Sequence, residues 1–412
     1  MTSLGFRVLL ICFFLILTAE SSLAAVSIKG DARVRYLVKD NYLFGNTNAT
    51  TLDTFDSRTR LVIEAKSSGG AFAKVRIRSN VNWGDGNREE TKITPTADFA
   101  YIGVPFGSVD VEAGNMKSNI TRFLEWDQSA DQVTIDWNML DVDWTGIYRI
   151  LDESDYSQVE MDRLDNNDHV LYGLVAKKKF AEHWRGQANL FYADDKRDEY
   201  NTGSYMSSAS GMFWSMFFEG SYKNLQLESE LAFKSANTRQ SRDENGFVIN
   251  GLNINQGDGW GWYFQCAMAA GAFTPTLNIG IAANGYEADN DFGWIMVGNS
   301  NNEPISVLSQ LGENGDWFWI APSLLYRVSE KTDLKGNLVW VSVDASESDS
   351  DTMLQFKNLY EVSAELFYQI TDSTSFTWKA GLLIPEIEGA YDGSSAKDDT
   401  AFGTYARLQV QF

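Results

Sequence analysis

The sequence predicts an all-β fold, a transmembrane antiparallel β-barrel of eighteen strands, with sixteen as the alternative count. Three features carry this reading. Apolar and polar residues alternate with a period of two from Val26 to the end of the chain. The connections between these segments are short and long in turn. No stretch offers the run of about 18 apolar residues that a membrane-spanning helix needs.

The alternating segments start near Val26, Asp56, Ala71, Thr96, Gly107, Gln132, Asp141, Asn167 and His183 in the first half. They continue near Gly211, Asn224, Gly259, Thr274, Trp317, Thr332, Asn358, Ser373 and Ala401. Short connections read SSGG, VPFG, NMLD, AEHW, YKN, GAFTP, SEKT and TDST. Long ones carry the charge, as in DESDYSQVEMDRLDNND, ADDKRDEYNTGS, SANTRQSRDENGFVINGLNINQGD and DASESDSDTM. This layout places the short turns in the periplasm and the long loops outside, with both ends of the chain periplasmic. In the last segment, TYARLQVQF, Ala406, Leu408, Val410 and Phe412 share one face. Ending on the aromatic itself looks like the C-terminal strand signal of bacterial outer-membrane barrels. Tyr222, Tyr326, Tyr368 and Phe412 fall on apolar faces near strand ends, where a periplasmic girdle belongs. A soluble sandwich would need a second sheet over each apolar face.

The start of the chain sets the compartment. Arg7 precedes an apolar run from Val8 to Leu17, and Ser22 and Ala24 occupy the −3 and −1 positions of a cleavage site. Residues 1–24 are thus expected to be a secretory signal peptide, leaving residues 25–412 as one barrel domain. Cleavage removes Arg7 and Glu20, so the formal net charge of −22 is unchanged. Cys266 is the single cysteine that remains, which excludes an internal disulfide.

Against this acidic background, cations recur at every second position. Arg33 and Arg35, Arg58 and Arg60, and Arg76 and Arg78 fall in three successive segments, with Ile28, Val34, Leu61, Ile63, Val75 and Ile77 on the alternate face. An Arg facing lipid at mid-bilayer costs roughly 2–4 kcal/mol, so six would cost on the order of 12 kcal/mol or more, comparable to a domain's stability. The apolar face must therefore meet lipid, and the six arginines face a wet lumen at mid-height or above. Asp136, Asp143, Glu219, Glu228, Glu230, Glu361 and Glu365 are expected on the inner face of later strands.

The hairpin FAYIGVPFGSVDVEAGNM and the following KSNITRFLEWDQSAD resemble the general porin family of Gram-negative bacteria. That resemblance implies a third loop, about residues 115–131, folded into the barrel as a constriction. Carried over, Glu125, Asp127 and Asp131 are its acidic residues, opposite the basic wall of Arg33, Arg35, Arg58, Arg60, Arg76 and Arg78. It also implies a homotrimer among lipopolysaccharide and outer-membrane lipids. Eighteen strands would instead resemble the substrate-selective and alginate-export-type porins, which also line their lumens with basic residues.

The expected function is an outer-membrane porin, a water-filled channel for passive diffusion of ions and small hydrophilic solutes, with no catalysis, no cofactor and no metal. The acidic loops lack the Gly-centred spacing of a calcium loop. Two alternatives are a structural or assembly barrel with a plugged lumen, and an outer-membrane hydrolase. The hydrolase would rest on Asp168 and His169, since the only other histidine, His183, lies in a short turn. Nucleic-acid binding is excluded by the net charge and the inward cations.

Overall fold

The computed structural model describes residues 25–42, 51–83, 95–121, 123–124, 128–152, 169–195, 210–237, 259–288, 292–297, 304–308, 311–312, 315–345, 354–390 and 399–412. The first six strands are β1 (Ala25–Asp40), β2 (Thr51–Lys66), β3 (Phe72–Trp83), β4 (Thr96–Phe106), β5 (Val109–Ser118) and β6 (Gln128–Met139). The next six are β7 (Val142–Asp152), β8 (His169–Ala181), β9 (Trp184–Asp195), β10 (Ser210–Tyr222), β11 (Leu225–Asn237) and β12 (Gly259–Met268). The last six are β13 (Phe273–Ala283), β14 (Gly315–Ser329), β15 (Thr332–Ala345), β16 (Leu354–Thr371), β17 (Thr374–Ala390) and β18 (Ala401–Gln411). Each expected segment is present, and the count is eighteen rather than sixteen.

Each strand pairs antiparallel with its neighbours in sequence, and β1 pairs with both β2 and β18, so the sheet closes on itself. Closure leaves no open edge, the condition for spanning a bilayer with strands. The short turns are tight. Leu140 and Asp141 take φ values of 59 and 57, the both-positive pattern of a two-residue hairpin turn. Alternation does the rest. Val34, Ile77, Leu190, Leu277, Leu338 and Leu408 stand exposed on the outside of the barrel. Tyr222, Tyr326, Tyr368 and Phe412 are exposed near the short-turn end, joined there by Phe106, Phe180 and Phe273. An exposed apolar band with aromatics at its rim is the surface of a membrane-spanning barrel.

The seam between first and last strands is closed by Phe412. Its N–H donates to the Gly30 carbonyl at 2.9 Å, and the Gly30 N–H donates to the Phe412 carbonyl at 2.7 Å. A side chain at Gly30 would place Cβ 2.6 Å from the Phe412 ring and 2.7 Å from the Arg60 carbonyl oxygen. Gly30→Val should therefore lower the yield of folded barrel, read as the heat-dependent mobility shift on denaturing gels. Truncating Phe412 as well should not restore it, because the Arg60 carbonyl remains in the way.

Candidate functional site: a basic wall beside two inward loops

The six arginines form one inward patch across β1, β2 and β3. Arg33 stands opposite Arg58 in the β1–β2 register, and Arg60 opposite Arg78 in the β2–β3 register. Three aspartates on the same stretch of wall each clip two of them. Arg35 Nε donates to Asp56 Oδ2 at 2.7 Å, with Arg33 Nη2 3.9 Å from Asp56 Oδ1. Arg60 Nε donates to Asp31 Oδ2 at 2.8 Å, with Arg58 Nη2 3.5 Å from Asp31 Oδ1. Arg76 Nε donates to Asp98 Oδ2 at 2.5 Å, with Arg78 Nη1 3.1 Å from Asp98 Oδ1. Six positive charges against three negative ones leave this patch at +3.

The wall extends further than the sequence reading took it. Arg407 of β18 pairs in register with Arg35, and its Nη2 donates to Thr377 Oγ1 at 3.2 Å. Arg35 and Lys379 each lie 5.9 Å from the centre of the Tyr405 ring, one a neighbour in β1 and the other in β17. Arg76 sits 4.5 Å over the Phe99 ring. Such contacts hold the guanidinium groups against the wall rather than across the lumen.

The expected counter-charges from the constriction loop require a correction. β5 runs to Ser118 and β6 begins at Gln128, so the connection is residues 119–127 rather than about 115–131. Asp131 lies within β6, exposed on the same outward face as Val133 and Ile135, where its Oδ1 accepts from Asn115 Nδ2 at 2.9 Å. Glu125 and Asp127 lie outside the described residues. Among the described residues, the carboxylates beside the arginines are Asp31, Asp56 and Asp98.

The β5–β6 connection does turn inward. The Thr121 hydroxyl donates to Glu230 Oε1 at 2.7 Å and accepts the Leu124 N–H at 3.0 Å, which tightens the chain into a turn. Ile120 and Leu124 pack on the buried cluster of Ile147, Leu171, Val175, Phe191 and Ala193 from β7, β8 and β9. Phe123 is fully buried, with ring centres 5.0 Å from Tyr263, 5.4 Å from Tyr286 and 6.2 Å from Phe292 and Trp319. Below it, a cavity of about 880 Å³ opens towards the short-turn end, lined by Asp143, Lys177, Lys179, Arg185, Gln187 and Glu219. His183 lies in the β8–β9 turn beside it, and His169 is the first residue of β8 at the long-loop end.

A second inward element, unforeseen in the sequence, is the β13–β14 connection. Its described segments, 284–288, 292–297, 304–308 and 311–312, contribute Tyr286, Ala288, Ile295, Met296, Val297, Ile305 and Leu311 to one buried cluster with Trp317, Trp319, Leu359, Leu383 and Tyr405. The Glu361 carboxylate on β16 accepts the N–H groups of Ile295 at 2.9 Å and of Met296 and Val297 at 3.0 Å each. Three consecutive backbone donors on one buried carboxyl fix this stretch of the connection to β16. The run FGWIMV (292–297), apolar inside a connection, was the available signal.

Asp98 offers a direct test of how the wall is held. Its side chain is 5% exposed and bonded to two arginines. Asp98→Asn should lower the thermal midpoint, since breaking a buried ion pair from one side costs about 3–5 kcal/mol. The same variant should raise the anion-to-cation permeability ratio; a ratio that falls or stays level would place Asp98 away from the permeating ions.

No protein-family model and no curated protein sequence matches this chain. Solved structures do. OprD of Pseudomonas aeruginosa aligns with a TM-score of 0.60 at 11% identity, over 95% of this chain and 97% of that one. A BenF-like porin from Pseudomonas fluorescens Pf-5 gives 0.59 at 10% identity, over 94% and 98%. OccK9 (OpdG) of P. aeruginosa gives 0.61 at 10% identity, over the same shares. This chain has the OprD-type porin fold. The expected count of eighteen stands, and of the two porin resemblances the fold is that of the eighteen-strand substrate-selective kind. The OprD-type fold is that of an integral outer-membrane barrel.

Proposed function

We propose that this chain is a non-catalytic outer-membrane channel through which small hydrophilic solutes and ions diffuse along the basic wall, with a preference for anionic groups. The observation that carries the preference is the +3 balance of six arginines over Asp31, Asp56 and Asp98. Fixed charge on a narrow wet wall raises the local concentration of the opposite ion and steers it. Among the described residues, both inward loops make their contacts on β1 at Leu37 and Lys39, on β2 at Leu52 and on β7 to β18, so the stretch of wall carrying the arginines supports a path beside them. Residues 1–24 are the export signal, and the mature chain starts at Ala25. The porin resemblance supports a homotrimer among lipopolysaccharide and other outer-membrane lipids, which cross-linking in outer membranes tests.

Swelling of liposomes carrying the folded mature chain tests the channel itself. Small neutral and anionic solutes should enter faster than cationic solutes of equal size. One observation favours a second reading, a plugged lumen: Ile295, Met296 and Val297 are completely buried inside the barrel. Liposomes that admit no solute of any charge would establish that reading instead.

A further inference from the structure

We infer that Glu361 is a latch that holds the β13–β14 connection inside the barrel and thereby sets the width of the channel. The inference rests on the channel reading and names the residue that positions its constriction. Glu361 projects inward from the middle of β16 and is 1% exposed. Three consecutive backbone N–H groups, of Ile295, Met296 and Val297, point at its two oxygens, and the Ser363 hydroxyl donates to Oε1. Four donors nearly fill the acceptor capacity of a carboxylate. Without the loop, an inward carboxylate at the middle of β16 would face the lumen.

The wall beside it is shaped to receive the loop. Gly381 of β17 and Gly403 of β18 are register partners, so two adjacent positions lack side chains. A Cβ on Gly381 would lie 2.6 Å from Met296 Cγ, and one on Gly403 would lie 2.9 Å from Ile305 Cβ. The loop fills this dimple. Two lysines tie its carbonyls from other strands: Lys335 Nζ donates to the Gly293 oxygen at 2.8 Å, and Lys39 Nζ to the Ser306 oxygen at 2.9 Å. The loop in turn supports the other one, because the Tyr286 hydroxyl donates to the Phe123 carbonyl at 3.1 Å. Releasing the latch therefore loosens both constricting elements.

The test is single-channel recording of the mature chain carrying Glu361→Ala or Glu361→Gln, in a Cys266→Ser background. Pore width sets conductance, so Glu361→Ala should raise the unitary conductance about twofold, and Glu361→Gln should raise it less. Gln keeps one acceptor oxygen but turns an amide N–H towards backbone donors. Adding Ile305→Cys with Gly403→Cys tethers the loop through a disulfide, since their Cβ atoms start within about 1 Å of the usual spacing. Oxidation of that pair in the Glu361→Ala chain should return the conductance to the parent value, and a thiol reductant should raise it again. A folded Glu361→Ala chain with parent conductance would overturn the latch. If Glu361→Ala does not fold, the Glu361→Gln chain with and without the tether decides in the same way. A parent chain that conducts nothing would refute the channel reading alone. Hydrogen exchange at residues 292–297 would then still decide the latch, with faster exchange in the variants expected and unchanged exchange overturning it.

Discussion

Replacing Arg58, Arg60 and Arg76 together with glutamine should turn an anion-preferring channel towards cations. The patch holds six arginines and three aspartates, a balance of +3, and removing three arginines brings it to zero. The change is larger locally than the sum implies. Asp31 loses both of its arginines, whereas Asp56 keeps Arg33 and Arg35 and Asp98 keeps Arg78. A carboxylate released from its clip faces the same water as a permeating ion. The reversal potential in a salt gradient should therefore move towards the cation side, most at low ionic strength, where screening is weakest. Arg327→Gln is the control. That arginine stands 67% exposed at the short-turn end beside Asp333, and its loss should leave selectivity as it was. An unchanged reversal potential in the triple variant would remove the wall from the permeation path.

Phe123→Ala should open the channel from the other side. The ring is fully buried among Tyr263, Tyr286, Phe292 and Trp319, and truncating a buried Phe costs about 3–5 kcal/mol. That cost falls on loop packing, since Phe123 lies outside the strand ladders that close the barrel. The barrel should fold and keep its heat-dependent gel mobility, while unitary conductance rises and open-channel noise increases. Phe180→Ala, on the exposed outer face, should change neither. Equal conductance for Phe123→Ala and the parent would mean that the 119–127 connection does not limit flow.

The barrel was legible because lipid enforces a strict rule. Each strand must show alternate residues to hydrocarbon, and the cost of a misplaced arginine fixes which face is outward. Asp31 and Asp56 share parity with Arg33 and Arg58, so their pairing was open to the same reasoning. Asp98 was not. Simple alternation puts it on the lipid side with Ala100 and Ile102, and a register shift between Arg76 and Ile77 turns it inward. Asp131 shares parity with Val133 and Ile135 and belonged outside on that ground. It was drawn into the loop by resemblance to barrels of another strand count. Glu361 was expected to face inward, but its partners are backbone N–H groups, which leave no signature in a sequence. The dimple made by Gly381 and Gly403 depends on β17–β18 register, which the length of the intervening connection does not reveal.

The most direct measurement is the unitary conductance and reversal potential of the refolded mature chain in a planar bilayer under a salt gradient. Discrete, stable open steps are expected, with a reversal potential displaced to the anion side by the wall of Arg33, Arg35, Arg58, Arg60, Arg76 and Arg78. A folded barrel without open steps, or one that selects cations, would contradict this expectation.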